Sequence, residues 1–531
     1  MRIHNTLSGR KEKLQTLNEN EVRIYVCGPT TYNLIHLGNA RPLVVFDTLR
    51  RYLSYRGYRV IYVQNFTDVD DKIIARANEE GIDALQLSQH YIDEYFVDAD
   101  RLGIMQADIH PRVSEHMNDI IDAVGKLIER GYAYEIDGDV YFRVRAFDGY
   151  GKLSKRSLDD MRAGARIAVD ERKQDPLDFA LWKKARASEP SWDSPWGAGR
   201  PGWHIECSVM STKYLGETFD IHGGGADLIF PHHENEIAQA EAMTGKPFVN
   251  YWMHNGFITI NQEKMSKSLG NFFVLRDILD KYPADVVRYY LIATHYRSPL
   301  DFDDGKLEEA RRALARLKNS LQLAEEFIQG DEAEAAELDE QASAFLTEIS
   351  SLEASFIEAM DDDLNTAMAI GHLFEMAHTL NSFLASAPRS EAGNRVAVFR
   401  ALQTFRALGD VLGIFMKVDD EEKKAVEGLL DILLQLRSRA RQQKNFALAD
   451  EIRDILSEHE VRVEDGPEGS RARYEKEPDA SELVELLLAI RGRFKAEKQY
   501  DQADWVRDRL MDQNVIIEDT REGVRWKFAD A

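Results

Sequence analysis

Cysteine is almost absent: a chain of 531 residues contains two, Cys27 and Cys207. That count excludes a disulfide scaffold and suits a reduced compartment. Long apolar runs are missing too. None approaches the length of a membrane span, and the opening MRIHNTLSGRKEKL lacks the apolar stretch of a secretion signal. Positive charge is in deficit, with 67 Lys and Arg against 92 Asp and Glu, a net −25. Such a balance disfavours unspecific adhesion to nucleic acid or anionic membrane, while leaving room for a local basic face. The expectation is a soluble, cytoplasmic protein with no membrane partner. What is plentiful is globular: 44% hydrophobic and 30% charged residues, in a chain long enough for two to four domains.

The order of patterns predicts an α/β protein with a Rossmann-like parallel sheet. A strand is expected over 21–28, ended by Gly28-Pro29. Helical periodicity runs from about Ala40, and a second strand over 58–66 ends in Thr67, Asp68, Asp70 and Asp71. Strand, glycine-bearing turn, helix and strand form a βαβ unit, which places ligands at the strands' C-terminal ends. Residues 125–200 break this rhythm and read as an insertion. From about residue 305 the pattern is helical: one amphipathic helix and two further stretches reaching about 417, an all-α bundle. The C-terminus holds a duplicated small α+β module. Ala449-Asp450 aligns with Ala503-Asp504, and Glu464-Asp465 with Glu518-Asp519, both at an offset of 54. Each copy reads as a basic helix, a second helix, a short strand and a glycine turn.

Several residues are candidates for chemistry. His36-Leu37-Gly38-Asn39 follows the first strand, where a glycine permits close approach and a helix N-terminus favours phosphate oxygens. The run from Lys264 to Asn271, KMSKSLGN, sets Lys264 and Lys267 among small hydroxyl residues, a loop able to neutralise charge at a phosphoryl group. Alone, each motif also fits an ordinary polar turn or a solvated basic loop. His232 and Glu236 stand four apart, which puts an imidazole and a carboxylate on one helix face. With Cys27 and Cys207 they make a donor set suited to Zn²⁺. Either cysteine alone also reads as a small buried apolar residue, and His233 competes with His232.

Taken together, HLGN after the first strand and an intact KMSKS after the sheet region resemble the class I aminoacyl-tRNA synthetases. YVCGPTTYN (25–33), GWHIECS (202–208), HGGGADLIFPHHENE (222–236) and HYRSPLDF (295–302) extend the likeness to the cysteinyl-tRNA synthetases, over nearly the whole chain. Asn39 departs from the second histidine of the generic HIGH motif, a variant familiar in this family. The resemblance implies ATP-dependent ligation of L-cysteine to tRNA(Cys) through a cysteinyl-adenylate, with ATP and Mg²⁺ as substrate and one Zn²⁺ per subunit. It implies catalytic roles for His36, Asn39, Lys264 and Lys267, and ATP contacts at Gly38, Gly224, Gly225 and Lys267. Zinc would sit on Cys27, Cys207, His232 and Glu236. Thr67, Trp203, His222 and Asp227 would contact substrate, although Trp203 also reads as core and Asp227 as a helix N-cap.

The implied organisation is a catalytic domain in two halves (1–124 and 201–255) around a connective insertion (125–200). A KMSKS and stem-contact region (256–310), a helical bundle (311–420) and the two module copies (421–476 and 477–531) follow. The second copy is the expected anticodon reader, through Asp504, Arg507, Asp519 and Trp526, because Tyr500, Trp505 and Trp526 supply aromatic planes for bases. Trp526 aligns with Ala472 in the first copy. Against this, the first copy stands at the family's usual distance after the bundle and carries Arg437, Arg439 and Arg441. The protein is expected to act as a monomer. Two other readings compete: a paralogue that passes the cysteinyl-adenylate to an amino sugar, and an inactive zinc- and RNA-binding regulatory protein.

Overall fold

The computed structural model describes residues 1–158, 161, 172–186, 189–260, 263–264, 273–328, 336–416, 420–459, 461–466, 469–474, 478–520 and 523–528. They fall into two compact units, Met1–Met416 and Lys417–Ala531.

In the first unit the central sheet is built from β1 (Glu21–Val26), β2 (Arg59–Gln64), β3 (Phe219–Gly225) and β4 (Val249–Asn255). The order is β4-β3-β1-β2, and every pairing is parallel. β1 and β2 are linked by α1 (Leu37–Tyr55), while β3 is flanked by α2 (Trp203–Leu215) and α3 (Glu234–Thr244). The chain runs outward from β1 to β2, then returns to the other side of β1 for β3 and β4. The strand order therefore reverses between β1 and β3, and a crevice opens there beyond the strand ends. Tyr25 is in register with His222 and Val26 with Gly223, so Cys27 leaves the sheet level with Gly224, which is still paired with His254.

The helix expected from Ala40 begins three residues earlier. Asn39 Oδ1 accepts from the His36 amide at 3.2 Å, tying the turn to the first helical residues. The insertion contains a four-stranded antiparallel sheet of Ala133–Ile136, Asp139–Phe142, Phe179–Lys184 and Gly199–Pro201. Its expected start at 125 falls within the helix Met117–Glu129, which buries Ile120, Val124 and Leu127 along one face. The boundary at 310/311 likewise falls within the helix Asp304–Ile328. Three more helices follow rather than two: Glu340–Asp361, Thr366–Ser386 and Ala392–Leu412. The break between the first two has no Gly or Pro to announce it. Asp363 and Leu364 make the turn themselves, at φ 67° and 52°.

The second unit repeats one design twice. Helices Asp420–Gln442 and Phe446–Glu458 are followed by strands Val461–Gly466 and Gly469–Tyr474; Ala480–Ala496, Tyr500–Asp512, Val515–Thr520 and Gly523–Phe528 match them. Asp420–Gln442 straddles the boundary expected at 420/421. The strand after each glycine turn was not anticipated; it closes a hairpin whose alternating basic and apolar residues have period two. Leu429 and Leu483, Leu433 and Leu487, Ile452 and Val506, and Leu456 and Leu510 are pairs at the offset of 54, all buried in one core. Contacts between the copies are reciprocal. The Arg439 guanidinium lies 4.3 Å from the Trp505 ring centroid, while Arg493, its counterpart, pairs with Glu451, the counterpart of Trp505, at 2.7 Å. Gly428 lies against Gln513, and the swapped pair Glu482 and His459 meets at 3.1 Å. Such exchange marks a local two-fold rather than a solenoid step.

A shared core predicts shared unfolding. Leu487→Ala should cost about 2–5 kcal/mol, the range for a leucine truncated in a packed core. Hydrogen exchange should then accelerate over both 429–456 and 483–510. Acceleration confined to the second copy would show two independent modules.

Candidate active site and metal centre

Four segments deliver the donor atoms to the crevice. Cys27 follows β1 directly, Cys207 lies on the second turn of α2, His232 belongs to the irregular turn Ile229–His233, and Glu236 lies in the first turn of α3. The spacing of four between His232 and Glu236 holds although the imidazole sits before the regular helix; Nε2 lies 2.9 Å from Oε1. The two sulfurs are 3.7 Å apart, and Cys27 Sγ stands 3.5 Å from His232 Nε2 and 3.7 Å from Glu236 Oε1. Tetrahedral metal–sulfur bonds of about 2.3 Å and metal–nitrogen bonds of about 2.0–2.1 Å require edges of about 3.8 and 3.6 Å. The donor set therefore fits a four-coordinate ion. A second quartet, Cys27, His222, His233 and Glu236, overlaps it. Of the two, only the first places three donors, Cys27, Cys207 and His232, on the wall of the cavity.

The surroundings fix these groups. His204 Nδ1 lies 2.9 Å from His232 Nδ1, and His222 Nε2 lies 2.8 Å from Glu236 Oε2, so both the imidazole and the carboxylate are held from behind. His233 Nδ1 meets His254 Nε2 at 2.8 Å, and His254 Nδ1 meets Thr6 Oγ1 at 2.8 Å. Burial alone would raise the Glu236 carboxyl, but the charges and hydrogen bonds of His222 and His232 outweigh it and hold it at about 2. Burial opposes the His232 cation, and Glu236 reverses that, to about 10. The hydrogen bond from Cys27 lowers the Cys207 thiol to about 6, whereas burial raises that of Cys27. Without an ion the cluster already favours one thiolate.

The cavity beyond encloses about 300 Å³, and Gly28, Thr67, Trp203 and Gly225 line it together with His36, Gly38 and Asn39. Gly28 must be glycine, since a Cβ there would sit 1.7 Å from the Asn65 carbonyl oxygen. Trp203 is no core residue: it is 40% exposed and stacks on His232 at 4.4 Å. Thr67 is buried and donates to Glu206 Oε2 at 3.2 Å. Asp227 lines the cavity from within the short turn Ala226–Leu228, so it is not the N-cap of that turn. His222 and Gly224 are placed differently from the expected substrate contacts. His222 lies behind Glu236, and a Cβ at Gly224 would meet His233 at 2.9 Å, so that glycine makes room for an imidazole.

Lys264 pairs through its backbone with Thr259, next to the cavity residue Ile258. Lys267 lies outside the described residues. Beyond it the chain returns at Phe273, whose carbonyl accepts from the Leu37 amide at 3.0 Å, while Ile35 accepts from Leu275 at 3.0 Å. The stem that follows the 265–272 segment thus adjoins the His36 turn, and the stem before it pairs with the strand Ile258–Ile260. Sequence reasoning missed Asn65, Tyr95, His204 and His254. His204 and His254 had weak signals, in GWHIEC and at the end of a strand; Tyr95, which donates to Gln64 Oε1 at 2.6 Å, had none.

Asp504, Arg507, Asp519 and Trp526 belong to the other unit. Arg507 is paired with Asp504 and Asp508, both at 3.0 Å, and the Asp519 side chain is outside the described residues. Trp505 and Trp526 pack against the shared core. Among the described residues of this unit, the most exposed aromatics are Tyr500 and its first-copy counterpart Phe446, each 59% exposed.

Comparison with known proteins places this geometry. A family model described as the class I (C) tRNA synthetase catalytic domain matches residues 13–312, and a DALR domain model matches residues 355–416. A cysteine–tRNA ligase of Pelotomaculum thermopropionicum is 57% identical, with 89% of this chain and 99% of the relative covered. One of Carboxydothermus hydrogenoformans is 51% identical, covering 99% and 100%. The fold resembles the Mycobacterium tuberculosis methionyl-tRNA synthetase solved with methionyl-adenylate, at a TM-score of 0.58 and 15% identity, covering 77% of this chain and 94% of that one.

Metal content discriminates the two quartets. Cys207→Ser should lose most of a tightly held equivalent of Zn²⁺ in equilibrium dialysis, and His233→Gln should keep it. The reverse pattern would place the ion in the second quartet.

Proposed function

The chain belongs to the cysteine–tRNA ligases among the class I tRNA synthetases, and we propose that its cavity activates cysteine on a zinc centre before esterifying tRNA. The protein ligates cysteine to tRNA using ATP. The observation that carries the assignment of the site is the opening of Cys27, Cys207 and His232 onto the same cavity as His36, Gly38 and Asn39.

Cys27, Cys207, His232 and Glu236 would hold Zn²⁺, which would supply there a Lewis acid that favours thiolate sulfur over a serine hydroxyl. Trp203, stacked on His232, walls the amino-acid end, and Thr67 and Asp227 line the cavity near it. ATP enters as its Mg²⁺ complex. The phosphates meet the positive end of the α1 dipole, where Gly38 allows close approach and His36 and Asn39 orient them. The cysteine carboxylate attacks the α-phosphorus and pyrophosphate leaves, while Lys264 and Lys267 stabilise the charge on the transferring group. A terminal hydroxyl of tRNA then attacks the adenylate carbonyl and releases AMP. The bundle with its DALR match and the C-terminal unit favour tRNA over an amino-sugar acceptor.

Anticodon contacts are assigned to the C-terminal unit of a monomeric, cytoplasmic enzyme. Tyr500, exposed in the second copy, supports the reader expected there. Phe446, its equally exposed counterpart, supports the alternative reader in the first copy. Tyr500→Ala and Phe446→Ala, both at exposed rings outside the shared core, decide: anticodon discrimination lost in the former assigns reading to the second copy, and lost in the latter assigns it to the first.

Cysteine-dependent pyrophosphate–ATP exchange tests the site. Lys267→Ala should lower kcat by a factor equivalent to roughly 2–4 kcal/mol, with a small change in the KM for cysteine. Unaltered single-turnover adenylate formation in that variant would refute its role.

A further inference from the structure

Arg41, one turn into α1, is fully buried, yet among the described residues no carboxylate pairs with it. Its guanidinium donates from Nη1 to the Gly256 carbonyl at 2.9 Å and the Phe257 carbonyl at 2.8 Å, and from Nη2 to the Ser298 carbonyl at 2.6 Å. The contrast with Arg288 is instructive. That guanidinium is equally buried but has the Asp47 carboxylate at 2.5 Å. A buried cation solvated only by carbonyls is a costly arrangement for mere packing.

The three carbonyls belong to a meaningful place. Gly256, Phe257 and Ile258 line the cavity and lead into the strand Ile258–Ile260 that pairs with Lys264. Ser298 belongs to the segment that backs this stem: the Gly256 amide donates to Tyr296, and Leu300 donates to Phe257 at 2.9 Å. Arg41 itself stands two residues after Asn39. One guanidinium, with its fork of donors, thus spans the helix bearing His36 and Asn39 and the stem bearing Lys264.

We propose that Arg41 is a positioning residue for adenylate formation, clipping the Gly256–Phe257 stem, which leads into the strand paired with Lys264, to the helix that starts at His36, so that the two walls of the cavity keep one spacing. This rests on the adenylate-forming reading above. A lysine keeps the charge but presents it as a point, and cannot reproduce three directed bonds. Displacement by about 1 Å at a reacting centre costs on the order of 100-fold in rate.

The test is Arg41→Lys in the full, metal-loaded chain. Single-turnover adenylate formation should fall by roughly 10- to 100-fold. The KM for cysteine and the zinc content should stay within twofold, and hydrogen exchange at the Gly256 and Leu300 amides should rise. Because Arg41 acts through the basic loop, adding Arg41→Lys to Lys267→Ala should slow that variant by less than threefold further. Gly256→Ala, whose Cβ would meet the Ser298 and Arg297 carbonyl oxygens at 2.5 and 2.7 Å, should reproduce the kinetics by prying the same stem loose, even if Arg41→Lys does not fold. Full multiplication of losses in the double variant, an undiminished rate, or a matching rise in the cysteine KM overturns the proposal. Absence of cysteine-dependent exchange in the unmodified chain would instead overturn the reading on which it rests.

Discussion

Two sulfur atoms separated by 180 positions of chain must meet within 3.7 Å, and the architecture of the first unit follows from that demand. Cys27 can reach Cys207 because β1 and β3 are neighbours in a parallel sheet, with α2 delivering its thiol to their C-terminal ends. The insertion intervenes in sequence but leaves the sheet as its own antiparallel layer. The strand-order reversal that opens the crevice is thus also the condition for assembling the metal donors. Cys27, Cys207 and His232 share one cavity with His36, Gly38 and Asn39 because the same reversal brings both sets to the strand ends.

The imidazole shell explains how so many polar groups are tolerated away from water. His204, His222, His233 and His254 are each linked to a ligand, to one another or to Thr6, so the shell orients the donors instead of competing with them. Burial drives His204, His233 and His254 downward, leaving those rings neutral at physiological pH. Neutral rings can accept on one nitrogen and donate from the other, as an ordered shell requires. Under the proposed function, selection against serine would rest on the affinity of sulfur for the ion and not on shape, since the two amino acids differ by little more than one atom.

Much of this was legible in the chain. The spacing of His232 and Glu236 and the rarity of cysteine point to the donor cluster that the structure assembles, and HLGN to the cavity wall that His36, Gly38 and Asn39 form. What could not be read was what lies one layer behind. Gly224 looked like a ligand-facing glycine, and its real neighbour, His233, is visible only once the strand and the turn are packed. The second break in the bundle is hidden because Asp363 and Leu364 adopt left-handed backbone without a glycine. In the C-terminal unit the repeat was plain, but its reciprocal docking was not. Trp505 read as a platform for bases, whereas Arg439 of the other copy covers it.

The central claim is that the metal centre touches the amino-acid sulfur, and cobalt substitution tests it most directly. In the Co²⁺ form, sulfur-to-metal charge-transfer absorption reports each bound thiolate. Addition of L-cysteine should raise that absorption by about half, one thiolate joining two, while L-serine at the same occupancy leaves it unchanged. An equal response to both amino acids, or none to cysteine at saturation, would contradict selection by direct coordination.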